Sequence, residues 1–211
     1  MQEPSEGRRE FQADVHFALG AVIQGVTVAA LGNELAQALR MLPFPGAFWI
    51  FATGLQSLLL CIVFWYSFMH NYHFGFKVLY LNAKTHFAFA SFYLILGLQQ
   101  LIAIQFLDMP RVWMTFYVFL LVTLFAGSSL ARHVPVVESE EVQQTLQYDP
   151  LSKTFNACFF LSVGVLIAWY IVPGIDTELF RAIALSISGV GLVVFAVYYI
   201  MVFQKALDLH R

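Results

Sequence analysis

Six apolar runs, each long enough to cross the hydrocarbon core of a bilayer as a helix, constrain this chain more than any other feature. A helix needs around 20 residues to span roughly 30 Å of hydrocarbon, and suitable stretches fall near 15–39, 47–69, 86–106, 112–131, 155–173 and 179–203. The 211 residues are 60% hydrophobic and 11% charged, so no remaining segment can bury a soluble core of its own. The expected fold class is all-α: a polytopic integral membrane protein of six transmembrane helices. Residues 15–203 form one membrane domain between tails at 1–14 and 204–211, with a long loop at 132–154 between the fourth and fifth spans.

Turn signals divide the spans into pairs. Pro43, Pro45 and Gly46 follow the first span, Asp108 and Pro110 the third, and Pro173, Gly174 and Asp176 the fifth. These links are short, so three helical hairpins turn on the same side. Lys and Arg set the orientation. Arg8, Arg9, Lys77, Lys84, Arg132, Lys153, Lys205 and Arg211 collect on one side, against Arg40, Arg111 and Arg181 on the other. Eight against three puts both termini in the cytoplasm, and the plasma membrane is the expected location. Trp49, Trp65, Trp113 and Trp169 lie near span ends, as aromatic belts require.

The start of the chain has a second reading. Arg8-Arg9-Glu10-Phe11 resembles the opening of a twin-arginine export signal, and Ala36-Gln37-Ala38 has the composition of a cleavage site. The segment between them is longer than a signal core and is followed by five more apolar spans, so it is read as a retained first helix with Arg8 and Arg9 as anchors.

Polar residues within the spans carry the functional argument. At about 100° per residue, His16, Gly20, Gln24, Thr27, Leu31 and Glu34 share an arc of roughly 80°, opposite Ala21, Gly25 and Ala29. On the second span Thr53, Gln56, Ser67 and His70 share a face with Trp49, Leu60 and Val63. On the third, His86, Tyr93, Gly97 and Gln100 lie together. Such groups are costly in lipid and should face each other or water. Two readings stay open: a hydrated pathway, or hydrogen-bonded packing between helices, which contributes about 0.6 kcal/mol per bond on average. Ala182 with Ser186 and Ala184 with Ser188 repeat the spacing of small residues on the sixth span. Contact between the first and sixth spans would close a bundle; the same surfaces could instead join several copies.

The leading expectation is a channel or small transporter for a cation, proton or small polar solute along spans one to three. His16, Gln24, Thr27, Glu34, Thr53, Gln56, Tyr93 and Gln100 would line the route, with Glu34 at the outer mouth. Asp14, His70 and His86 would gate it or sense pH inside, because imidazoles titrate in the physiological range. Six helices are few to enclose a pore, so the expected partners are the bilayer and further copies of the chain or a membrane complex. The leading reading needs no cofactor. A second class, a membrane haem or transition-metal redox protein, would use the inner histidines, with His70, His73 and His86 as candidate ligands. A third is a non-catalytic membrane subunit docking a partner through 132–154, where Glu138, Glu140 and Glu141 stand together.

Other classes are excluded on composition. A net charge of −2 with scattered Lys and Arg gives no nucleic-acid surface. Cys61 and Cys158 lie within spans and form no disulfide framework. No P-loop, HExxH, Ser-His-Asp arrangement, intramembrane retinal Lys or potassium-filter sequence occurs, so an enzyme is not expected. The halves do not match one another as inverted repeats would. An Arg ahead of an Asp at the start of the first span, with Asp14-Val15-His16-Phe17-Ala18, resembles prokaryotic potassium-leak channels that carry a Phe-Ser-Asp signature. The resemblance covers about ten residues; Gln12 and Ala13 stand where that signature has Phe and Ser, and the first span is longer.

Overall fold

Hydrophobic periodicity becomes helix throughout. The computed structural model describes residues 6–40, 42, 46–70, 83–132 and 150–209. Among them there are six α-helices and no strand: α1 Glu6–Arg40, α2 Ala47–His70, α3 Ala83–Ile104, α4 Pro110–Arg132, α5 Pro150–Ile171 and α6 Glu178–Leu209. Each contains most of one expected apolar run. Three stretches, Asp14–Arg40, Ala47–Tyr66 and Glu178–Tyr198, are long and apolar enough to cross a membrane. The apolar stretches of the other helices, Ala90–Ile104, Pro110–Leu124 and Asn156–Ile171, are shorter within the described residues.

The helix ends follow local chemistry. Gly46 accepts the first bonds of α2 from Trp49 and Ile50. Pro110 stands at the first position of α4, where a missing N–H costs nothing. Between α5 and α6 the chain reverses through Gly174, whose φ of 74° is the left-handed conformation that glycine adopts without steric penalty. Thr177 then caps α6, its Oγ1 accepting from Phe180 N at 3.2 Å.

The interior is apolar, as in a soluble bundle, but so is the outer surface. Large apolar side chains stand bare on the outside, among them Phe48, Leu55, Phe119, Phe160, Ile171 and Leu179. In water that much exposed apolar surface would drive aggregation; against acyl chains it carries no penalty. Hydroxyls inside helices return their protons to the preceding turn, as Thr27 does to Ile23 O at 2.8 Å and Ser162 to Cys158 O at 2.8 Å. Those hydroxyl protons are thereby satisfied in apolar surroundings.

α2 is the central helix, packing against α1, α3, α4 and α6. α1 packs chiefly on α2 and α3, while α6 lies on α2, α5 and α4. Of the two uses left open for the small-residue surfaces, closure of α1 onto α6 is not how the described residues pack, because α2 stands between them. Ala184 and Ser188 of α6 are buried, so that small-residue pair does serve close packing. The corresponding face of α1 does not: Gly25 and Ala29 are exposed, and a Cβ on Gly25 would meet nothing within 4 Å.

Candidate functional site

The helical phase of α1 turns His16, Gly20, Gln24, Thr27 and Leu31 into the bundle, where all five are buried. They meet α2 and α3 along one seam. At one end the His16 ring stacks on Phe68 of α2, with centroids 5.6 Å apart, and lies edge-on to Tyr93 of α3 at 5.4 Å. Phe68 and Phe64 each pack edge-on against Tyr93, at 5.2 and 5.5 Å. Two turns along α1 from His16, the carboxamides meet. Gln24 Nε2 donates to Gln100 Oε1 at 3.2 Å, and Gln100 Nε2 reaches Leu60 O at 3.5 Å.

Glycine makes this seam possible. A Cβ at Gly20 would collide with the Phe68 ring, and one at Gly97 with the Ile23 side chain. The α1–α2 and α1–α3 crossings are thus closer than any larger residue permits at those two points.

A second polar grouping lies on the other side of α2. Gln56 turns away from α1 and α3 to meet α6, where its Nε2 donates to Leu185 O at 2.7 Å and its Oε1 accepts from Ser188 Oγ at 2.7 Å. Tyr117 of α4 donates to Ser188 O at 3.3 Å. Thr53 sits nearer the start of α2 and reaches Leu107 O, just past α3, at 2.7 Å. Ser57 accepts from Trp113 Nε1 at 2.9 Å, in a core where the Trp113 and Tyr117 rings stack.

The residues expected to form one route are therefore divided. His16, Gln24, Thr27, Tyr93 and Gln100 share the α1–α2–α3 seam. Thr53 and Gln56 belong to separate contacts, because a helix buried on several sides carries polar groups toward more than one neighbour. Glu34 is half-buried near the far end of α1, and Asp14 is exposed at the other. The side chains of His70 and His86, and all of His73, lie outside the described residues, as does most of the 132–154 loop. Among the described residues no three His, Cys, Asp or Glu side chains gather closely enough to hold a metal ion. Cys61 and Cys158 are both free thiols.

Sequence reasoning passed over Ser57 and read Ser188 only as a small packing residue. Their positions beside Gln56 and four residues after Ala184 marked them as buried. Nothing local named their partners.

A further polar cluster occupies the end of the bundle where α5 turns into α6. Arg181 grips Asp176 with Nε to Oδ1 at 2.7 Å and Nη2 to Oδ2 at 3.1 Å. These hydrogen bonds hold the Asp176 carboxyl below its ordinary value; slight burial opposes them, and the positive charges of Arg181 and Arg111 add to the depression. The Trp169 indole N–H lies close enough to contribute in the same direction but falls short of hydrogen-bond geometry.

No protein-family model, curated protein or solved structure matches this chain.

Proposed function

We propose that this chain is a plasma-membrane protein with six spans and cytoplasmic termini, and that it moves a cation, a proton or a small polar solute along the α1–α2–α3 seam. The observation that carries the reading is the placement of His16, Tyr93, Gln24, Thr27 and Gln100 in one buried file between helices whose outer surfaces are apolar. An ionisable side chain and two carboxamides aligned within an apolar bundle are costly to bury, and such residues commonly mark solute or proton routes. Glu34, about 27 Å along the α1 axis from His16, supplies a carboxylate at the opposite end. Passage requires the aromatic group around His16 and the Gln24–Gln100 pair to part. Six helices are few to enclose a continuous pore, so the channel form of this reading calls for several copies.

A second reading has its own support: both carboxamides of the seam are hydrogen-bonded within the bundle, as they would be in a membrane subunit that uses polar residues only as packing. Solute flux in proteoliposomes separates the two. With Gln24→Leu and Glu34→Gln, transport along the seam predicts altered rate or ion selectivity; unchanged rate and selectivity in both variants would remove the seam as a route.

A further inference from the structure

We propose that Arg111, at the rim where α4 meets α5, binds the phosphodiester of an anionic phospholipid headgroup. The inference needs this end of the bundle to lie at a bilayer surface, and does not depend on transport.

The Arg111 side chain is held in place but not satisfied. Its guanidinium carbon sits 3.9 Å from the centroid of the Tyr170 ring, a cation–π contact that fixes the group without engaging its protons. A guanidinium offers five N–H donors. Among the described residues none of those on Arg111 reaches an acceptor, and its Nε is sealed from solvent without a partner. The residue as a whole is only half-buried.

The neighbouring cation is different. Arg181 is spent on Asp176 through both Nε and Nη2, and Glu178 adds its charge to the same guanidinium. Arg111 makes only the weakest of the contributions felt by Asp176. It also stands in the first turn of α4, where the helix dipole repels a cation unless an anion lies beside it.

Two further features give the chemistry of that anion. Tyr170, whose ring carries the guanidinium, is itself held: its hydroxyl lies 3.1 Å from that of Thr115 one turn further along α4, and Thr115 in turn donates to Arg111 O at 2.9 Å, so the platform under Arg111 is fixed. Ile171 and Leu179, at 71% and 72% exposure, are bare apolar side chains on the α5–α6 hairpin that carries the Asp176–Arg181 pair. A forked guanidinium donor on a fixed platform suits phosphate oxygens, and exposed apolar side chains nearby suit an attached acyl chain.

The test is thermal unfolding of the full chain in neutral detergent with added phosphatidylglycerol, phosphatidylcholine or inorganic phosphate, alongside native mass spectrometry to count retained lipids. Phosphatidylglycerol should raise the unfolding midpoint of the wild type and remain bound in the spectrometer. Arg111→Gln should weaken that binding by about tenfold or more, the cost of losing hydrogen bonds to a charged group. Arg111→Lys should retain part of it, and Arg40→Gln, which removes an equal charge elsewhere, all of it. An equal shift in Arg111→Gln, no shift in the wild type, or a shift produced by inorganic phosphate alone would each overturn the assignment. Should Arg111→Gln fail to fold, Arg111→Lys and the lipid count on the wild type decide the matter.

Discussion

The pair Gln24–Gln100 lends itself to a double-mutant cycle, because each carboxamide has few other partners. Gln24→Leu keeps the side-chain volume but leaves Gln100 Oε1 without the only donor seen for it among the described residues. A buried acceptor stranded in this way costs about 1–3 kcal/mol. Gln100→Leu strands the Gln24 amide in turn; Leu60 O loses a 3.5 Å contact that is already at the limit of a hydrogen bond. In the double variant nothing polar remains to strand, so its cost should fall below the sum of the two. The bond is 3.2 Å, longer than the ideal near 2.9 Å. Coupling of about 0.6 kcal/mol is therefore expected, under the ceiling of about 1.7 kcal/mol seen for such pairs in membrane helices. Reversible unfolding in mixed micelles measures it. Additivity within about 0.3 kcal/mol would show that the two amides do not share a bond. The same double variant bears on function: if solute crosses at this pair, its flux changes although the fold loses less than the two single costs together.

Two further tests concern packing and charge. Gly20→Ala should destabilise the fold by about 1–3 kcal/mol, because its Cβ would enter the Phe68 ring; Phe68→Leu in the same background should recover part of the loss, and Gly25→Ala, facing open space, should be neutral or slightly stabilising by unfolding midpoint. Asp176 has a folded pKa below its unfolded one, chiefly through the Arg181 hydrogen bonds. The stability it contributes is therefore complete above the ordinary carboxylate range and lost as pH falls through the lower, folded value. The gap in midpoint between wild type and Asp176→Asn should narrow from about pH 5 downward, and a gap that widens would contradict the sign of the shift.

The inward side of α1 was legible because 25 residues of regular 100° phasing leave little choice of face: every residue from His16 to Leu31 on the predicted arc is buried. The hairpin ends were legible for equally local reasons, in Pro110 and Gly174, whereas the Thr177 cap was not read. The partner of Gln56 was not. Polarity on an apolar helix shows that a side chain seeks a partner, but α2 is covered by four other helices and Ser188 lies 132 residues away. Small residues misled in one place and informed in another. Ala184 and Ser188 are buried where α6 packs, whereas Gly25 and Ala29 face outward; spacing alone does not distinguish a used surface from a bare one.

The two polar groupings flanking α2 differ in what is needed to open them. Gln56 makes two hydrogen bonds of 2.7 Å to α6, and Tyr117 reaches the same stretch of α6 from α4, so three helices are tied at one point. Across α2, the carboxamide bonds described in the α1 seam are longer, 3.2 and 3.5 Å, and ring contacts gather around His16, each contributing about 0.5–1.5 kcal/mol beyond area burial. α1 is also held mainly from one side, by α2 and α3, with its small-residue face bare. Within the transport reading, then, α2 and α6 form the fixed wall and α1 is the helix whose displacement would open the route. Parting the long Gln24–Gln100 bond and the rings around His16 costs less than breaking the two 2.7 Å bonds of Gln56 on the other side of α2.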